Sequence, residues 1–593
     1  MSAATESRGG RSFAADPIVE APAELPPAWV AQLVSCVVDE NVGLPDTALL
    51  TYRDPNHELL TATGITIGTP LKISVVTVTG QARERLFTGE VTAVELDTDT
   101  TGSFTVIRAY SKAHRLQRGR KVVAYRNMTT ADIVRKVAAG AGLACGRIEA
   151  APVTHQQLSQ PNVSDWDFLQ YLAGESGAHV RVDEKGLLQF VKPAPAASAP
   201  APSTSATRNP LVLEYGRNLL ALRAVLTGAD GAGTVEVRGW NVTTKTPLVA
   251  TRPAVRSTSV TPGLDPSVAS AFGASAKVTV TDTPYRTQAE TTAVAGSVAA
   301  SVSAGFGEIE AVAEGNPKLR AGKPVALGNV GPAFSGRYTA TAAHHVLEPQ
   351  GGYRTTIVVS SSPDRSLTGL TTGGNAPARA SRMPGLAIGV VTDIRETGGG
   401  QRGWVKLKFP WLDATYVTDW VRTVQWGGQG GGGVFSPEVN DEVLVGFEQG
   451  LLDSPYVLGG LYNGVDKPSP HDVPLVDRTS GKVQRRSLVS RSGHRLELLD
   501  TPRGTSGVRL ASGNKRFEVK LDERRNRLEL TVFAPGGRRA LSSVTLTPKG
   551  ITLDAGTGTL DLNGRTVNIN GKTGVTVDGG LLATIKARMI RLN

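Results

Sequence analysis

Asp441 and Glu442 stand side by side, and adjacent carboxylates are the first place to look for paired acid and base chemistry. Eight histidines, His57, His114, His155, His179, His344, His345, His471 and His494, are the other groups that could move protons or hold a metal. Their spacing argues against both roles. No HExxH is present, and no His or Cys spacing matches a zinc site. His344 and His345 are adjacent in a segment of strand character, which sends their rings to opposite faces. No GxSxG elbow occurs, and the glycine-rich GxGxxG-like stretches lack a flanking strand, turn and helix. Cys36 and Cys145 form no CxxC, so the chain reads as built for a reducing compartment without a disulfide framework. The expectation is of no catalytic residue, no cofactor and no metal.

The elements that would position such groups are β-strands. Glycine (67) and proline (35) are plentiful and aromatics make up 5%, which favours short strands joined by turns. The formal charge is +11, with a dense basic set between Lys482 and Arg539. That set alternates with Glu and Leu and lacks the aromatic platform that single-stranded nucleic acid needs, so no specific nucleic-acid partner is expected. The first residues have no apolar core of a secretion signal, and no run of about 18 apolar residues could span a membrane. Assembly in the cytoplasm is expected.

Along the chain, residues 1–27 are polar and Pro/Ala-rich and are read as a disordered tail. Alternating segments at 34–38, 71–78, 86–94 and 104–110 read as a β-barrel or sandwich. Helices are expected after Thr129, with Asp132 as a partial capping box, after Ser164, and around 289–304. Residues 192–209 are Pro/Ala/Ser-rich and read as a loop or linker without a fold of its own. A second set of strands through 365 suggests another barrel, followed by a linker at 366–383. After a second linker at 465–489, short strands recur from 490 to 593, the later ones about every 7 to 10 residues. Each places two apolar residues around a polar one, so one face wants cover and the other wants water. One such ribbon has too little core to stand alone. Three identical chains wrapped on a common axis, an intertwined triangular β-helix or β-prism, would bury the apolar face and pair every edge.

Residues 384–464 carry the family signal. They read PGLAIGVVTDI, GWVKLKFPWL, TDWVRTVQWGGQGGGGVFSPEVNDEVLVGFEQG and LLDSPYVLGGLYNG. This stretch resembles the spike domain of the VgrG family of type VI secretion, and of related phage-tail and extracellular contractile injection systems. The resemblance implies an oligonucleotide/oligosaccharide-binding (OB) fold here, marked by Phe409, Pro410, Trp411, Trp420, Arg422, Pro437, Asp441 and Glu442. It makes Asp441 and Glu442 turn and strand-edge residues. Trp404, Trp411, Trp420 and Trp426 are then expected in core and interface packing rather than on a sugar. Residues 28–365 would be a phage-hub-like base with two barrels and inserted helices.

What the resemblance implies for function is mechanical. The chain would be the central spike of a contractile particle: a homotrimer joining the hexameric inner tube and baseplate to a membrane-puncturing tip. Met589, Ile590, Arg591, Leu592 and Asn593 would dock a PAAR-type tip protein, effector cargo could ride on the spike, and a target membrane would be met on firing. Some relatives insert a muramidase between barrel and rod or a toxin after it. Residues 465–489 are too few for an enzyme, and the sequence stops at Asn593, so a bare spike is expected. The rival readings are a spike-associated peptidoglycan hydrolase, which would need a carboxylate pair in a cleft, and a polyanion-binding or adhesin fibre.

Overall fold

The computed structural model describes residues 13–14, 16–77, 82–229, 231–267, 272, 276–349, 351–360, 382–383, 385–397, 401–502 and 504–591. The chain divides into two units, 1–461 and 462–593. The fold is mainly β.

In the first unit, one antiparallel sheet of ten strands runs through both halves of the base. Its order is Ile18–Glu20, Pro70–Val76, Arg83–Asp99, Gly102–Tyr110, Leu44–Arg53, Leu33–Asn41, Ala342–Glu348, Gly352–Val359, Gly307–Glu314 and Leu219–Leu226. The join lies in the middle, where Cys36 to Asn41 pair with Leu347 to Ala342. Two cores line the two halves. One centres on Leu50, Ile73 and Ile107; the other on Tyr338, Ala311 and Ile357. Alternation sets the register: in Ala342–Glu348, Ala343, His345 and Leu347 point inward and their neighbours outward.

The three long helices start where their caps predict. Thr129 and Ser164 each accept a hydrogen bond from the backbone N–H three residues on, at Asp132 and Asp167. Thr287 and Glu290 form a full capping box ahead of Gln288–Ala304. Gly177, at φ 63°, ends the helix Asp165–Ser176. The helix Gln288–Ala304 covers a three-stranded sheet of Thr234–Asn241, Thr246–Pro253 and Lys277–Tyr285.

Two segments differ from expectation. Residues 1–12 of the expected tail lie outside the described residues, but Ile18–Glu20 pairs with Pro70–Val76 and Val19, Ala21 and Leu25 are buried. A few apolar side chains suffice to dock a segment of otherwise tail-like composition. The 192–209 segment is a loop, but a packed one. Ala196 and Ala199 are buried, Ala196 N donates to Thr258 O at 2.8 Å, and Arg337 Nε donates to Pro200 O at 3.2 Å. Small residues and fixed proline dihedrals let such a stretch lie flat on a sheet. Of the 366–383 linker, all but Arg382 and Met383 lie outside the described residues. Among the described residues, no helix is long and apolar enough to cross a membrane.

Candidate assembly surface

The OB segment forms a five-stranded sheet ordered Lys406–Lys408, Leu386–Asp393, Glu442–Phe447, Pro455–Gly460 and Arg422–Thr423. Phe409 is fully buried at its centre, with ring centroids 6.1 Å from Tyr416, 6.0 Å from Trp411 and 5.7 Å from Phe447. Pro410 is exposed beside it and Pro437 half-buried. The tryptophans do not fill this core. Trp411 is about half exposed and donates from Nε1 to Ile388 O at 2.7 Å, while Trp426 is exposed. Trp404 and Trp420 are half-buried under cations, Arg402 and Lys406 respectively. The expected core role falls to Phe409 and Tyr416, because a phenyl-sized ring fits inside so small a barrel. Arg422 lies over the Tyr456 ring at 5.4 Å.

Asp441 and Glu442 build a turn. Asp441 Oδ2 accepts from Glu438 N at 2.8 Å, its own N–H donates to Glu438 O, and Glu442 opens a strand opposite Val390. The glycine run at 427–433 crosses itself. A Cβ on Gly432, at φ 94°, would lie 2.5 Å from Gly427 Cα. The crossing presents Trp426, Val434 and Phe435 to solvent, with the Trp426 and Phe435 rings 4.7 Å apart.

The barrel is fastened to the base by polar groups that no motif signals. Ser159, in the strand Thr154–Val163, shares a 2.8 Å hydrogen bond between its hydroxyl and that of Tyr416, and its N–H donates to Asp453 at 2.9 Å. Burial pushes the Asp453 carboxyl above its usual range. Arg286 donates to Asp453 O and to Ser454 Oγ.

The second unit holds a seven-stranded antiparallel meander from Arg485 to Asp554. It begins inside the expected 465–489 linker, where Gln484 and Arg485 are already buried. Its register aligns two apolar ladders on one face. The first runs Leu498, Val508, Leu521, Leu528, Leu546, Ile551; the second Leu496, Leu510, Val519, Leu530, Val544, Leu553. None of these side chains is buried. The other face carries charge. Glu497 is buried there between His471, Arg495 and Arg509, with Arg509 Nε 2.7 Å from its Oε2. Among the described residues beyond Asp554 no strand forms, and every residue from 556 to 591 is exposed. The expected strands at 560–562, 567–569 and 575–577 form no strand pairing within the chain. Met589, Ile590 and Arg591 are exposed, and Leu592 and Asn593 lie outside the described residues.

The histidines are divided as alternation predicts. His344 is half exposed on Asp39, and His345 is buried, its Nδ1 2.9 Å from the Tyr353 hydroxyl. Desolvation holds His345 well below the usual imidazole range. Cys36 is buried, which raises its thiol to about 12. Among the described residues no group of three or more His, Cys, Asp or Glu could hold a metal ion.

The family model for the type VI secretion system/phage-baseplate injector OB domain matches residues 387–462. A model of the Alg8 N-terminal domain matches residues 68–348. The type VI secretion system spike protein VgrG1c of Pseudomonas aeruginosa is 28% identical over 156 residues, 25% of this chain and 21% of that protein. VgrG5 of the same organism is 40% identical over 79 residues, 12% of this chain and 10% of its own. The chain thus aligns with about a fifth or less of the length of these relatives. Among solved structures, a type VI secretion component of E. coli is similar over 73% of this chain and 97% of its own, with 14% identity and a TM-score of 0.43. The lidded Francisella PdpA–VgrG complex is similar over 88% of this chain and 76% of its own, with 10% identity and a TM-score of 0.47. Residues 387–462 thus carry the injector OB domain of type VI secretion systems and phage baseplates, and part of the chain is similar to VgrG spike proteins of contractile injection systems.

Proposed function

We propose that this chain is the structural central spike of a contractile injection system and works as a homotrimer. One observation carries the reading: two apolar ladders, six residues each, lie on one face of the C-terminal sheet with none of the twelve buried and six exposed, followed by some 36 exposed residues. Leaving a Leu or Val side chain exposed forgoes roughly 1.5–3 kcal/mol of burial each. A second and third copy of the same ribbon supply the matching cover, since identical ladders meet in register around a threefold axis.

In this reading the base meets the inner tube and baseplate. The OB barrel is fastened to the base through Asp453 and Tyr416, which makes one stiff body of the two. The last residues, Met589 to Asn593, seat a PAAR-type tip, and the assembled particle carries spike and cargo to a target membrane. No bond is made or broken; the work is done by stiffness and a small contact area. The test is the mass of the purified chain in solution. Light scattering at micromolar concentration is expected to give about three times the 62.1 kDa of one chain. A stable monomer overturns the reading.

A further inference from the structure

The excess charge is not spread along the molecule. Residues 1–461 hold 41 Lys and Arg and 41 Asp and Glu, whereas residues 462–593 hold 23 against 12, so the whole +11 resides in the second unit. Its placement there is ordered as well. In a meander, successive turns fall on alternate edges of the sheet. Three of them share one edge, at 490–494 (SRSGH), 512–516 (SGNKR) and 534–539 (APGGRR), starting 22 residues apart. None contains a carboxylate, and none contains a Phe, Tyr or Trp.

These turns are stacked on one another. Gly513 N donates to His494 Nδ1 at 3.2 Å, and Phe533 N donates to Arg516 O at 2.7 Å. A Cβ on Gly537 would lie 2.9 Å from Lys515 Cβ. With strands about 4.8 Å apart, neighbouring turns on this edge stand about 10 Å apart. Lys515, Arg516, Arg538 and Arg539 are all exposed, and among the described residues none of their side chains has a hydrogen-bond or ion-pair partner. The opposite edge is mixed: Arg524 and Arg525 share their turn with Glu523.

We propose that this ridge is a docking surface for the phosphate groups of an anionic phospholipid membrane. Guanidinium and ammonium groups held without internal partners are free to pair with phosphate oxygens. A row of them along one edge faces a plane of headgroups. Single-stranded nucleic acid is the less favoured ligand, because the turns hold no Phe, Tyr or Trp to stack a base and their one ring, His494, is bonded to Gly513 N. The proposal rests on the spike reading for the presence of a membrane, and adds the surface and chemistry that meet it.

The test is flotation of the full chain with vesicles of phosphatidylcholine alone, or of phosphatidylcholine and phosphatidylglycerol in a two-to-one mixture. Retention on the mixed vesicles alone is expected, with release as salt rises from about 0.05 to about 0.5 M. Each membrane-proximal cation is worth about fivefold in partitioning. The combined variant Lys515→Gln, Arg516→Gln, Arg538→Gln, Arg539→Gln is therefore expected to bind at least tenfold more weakly, roughly speaking, and Arg524→Gln, Arg525→Gln clearly less so. If the fourfold variant misfolds by circular dichroism, Arg538→Glu in its exposed turn makes the same comparison. Equal retention on both vesicle types, an unaffected ridge variant, or an equal loss at the opposite edge overturns the proposal. So does release of the chain from the vesicles by a short DNA oligonucleotide at equimolar phosphate. A trimer that ignores vesicles overturns this inference and leaves the spike reading standing; a monomer that binds them does the reverse.

Discussion

Arg320 and Glu40, 280 residues apart, form a buried ion pair between the two halves of the base. The guanidinium also donates to Leu86 O at 2.6 Å and to Arg85 O, so its charge is surrounded by acceptors. Arg320→Ala leaves Glu40 buried and uncompensated. A loss of about 3–5 kcal/mol is expected, read as an earlier unfolding midpoint in urea; a change below about 1 kcal/mol would place the pair in high-dielectric surroundings.

Glu175 sits where His155, Glu290 and Tyr171 converge, and its carboxyl accepts the Tyr171 hydroxyl at 2.7 Å. Burial, with Glu290 and Asp453 nearby, raises it to about 7. A carboxyl raised in the fold is charged more easily in the unfolded chain, so stability falls as pH rises from about 4.5 to about 7. Glu175→Gln keeps the acceptor and removes the charge. It is expected to stabilise by about 1–3 kcal/mol at pH 8 and by little at pH 4, and melting scans at the two values check the sign.

His345 gives the opposite slope. Its ring stays neutral in the core while the unfolded chain takes a proton below about 6.5. Its contribution is complete above that pH and is lost below it, by up to about 1.4 kcal/mol per unit. His345→Gln is expected to flatten the acid limb of the stability curve between pH 6.5 and about 5; an unchanged limb would mean that other groups set it.

In the OB barrel, Phe409→Ala is expected to cost about 3–5 kcal/mol, because the ring is fully buried among other rings. Gly432→Val acts differently. A side chain cannot fit where Gly432 crosses Gly427, so the loop opens and the Trp426–Phe435 contact breaks. Tryptophan fluorescence is expected to shift while the melting temperature moves by only a few degrees.

Leu510→Glu and Leu530→Glu lie on exposed ladder positions. In an isolated chain they would be nearly neutral, within about 0.5 kcal/mol. In the trimer each is expected to shift the population to monomer at micromolar concentration, as sedimentation would register.

Much of this molecule was legible locally. Thr129, Ser164 and Thr287 announce their helices because a cap is a short-range device, and the OB strands announce themselves through a dense motif. The strand Leu44–Arg53 did not, since Pro45 and Asp46 break its alternation. Nor did the Thr154–Val163 pairing, which runs through His, Gln and Asn residues that find partners only in the fold. Asp453, Ser159 and Tyr416 meet across nearly 300 residues, and nothing in any one segment marks them. The tryptophans were expected in core and interface packing, and ring size, unlike barrel volume, is visible in a sequence; Trp411 and Trp426 lie outside the barrel core.

The central seam of the ten-stranded sheet has a consequence for how the chain is made. Leu33–Asn41 leaves the ribosome some 300 residues before its partner Ala342–Glu348. At about 5–20 residues per second, that edge waits roughly 15–60 s with its backbone groups unpaired. Nascent copies crowded on one messenger would present the same open edge to one another. Protection of that edge during synthesis, by a holding chaperone or by slow initiation, therefore governs the yield of folded base.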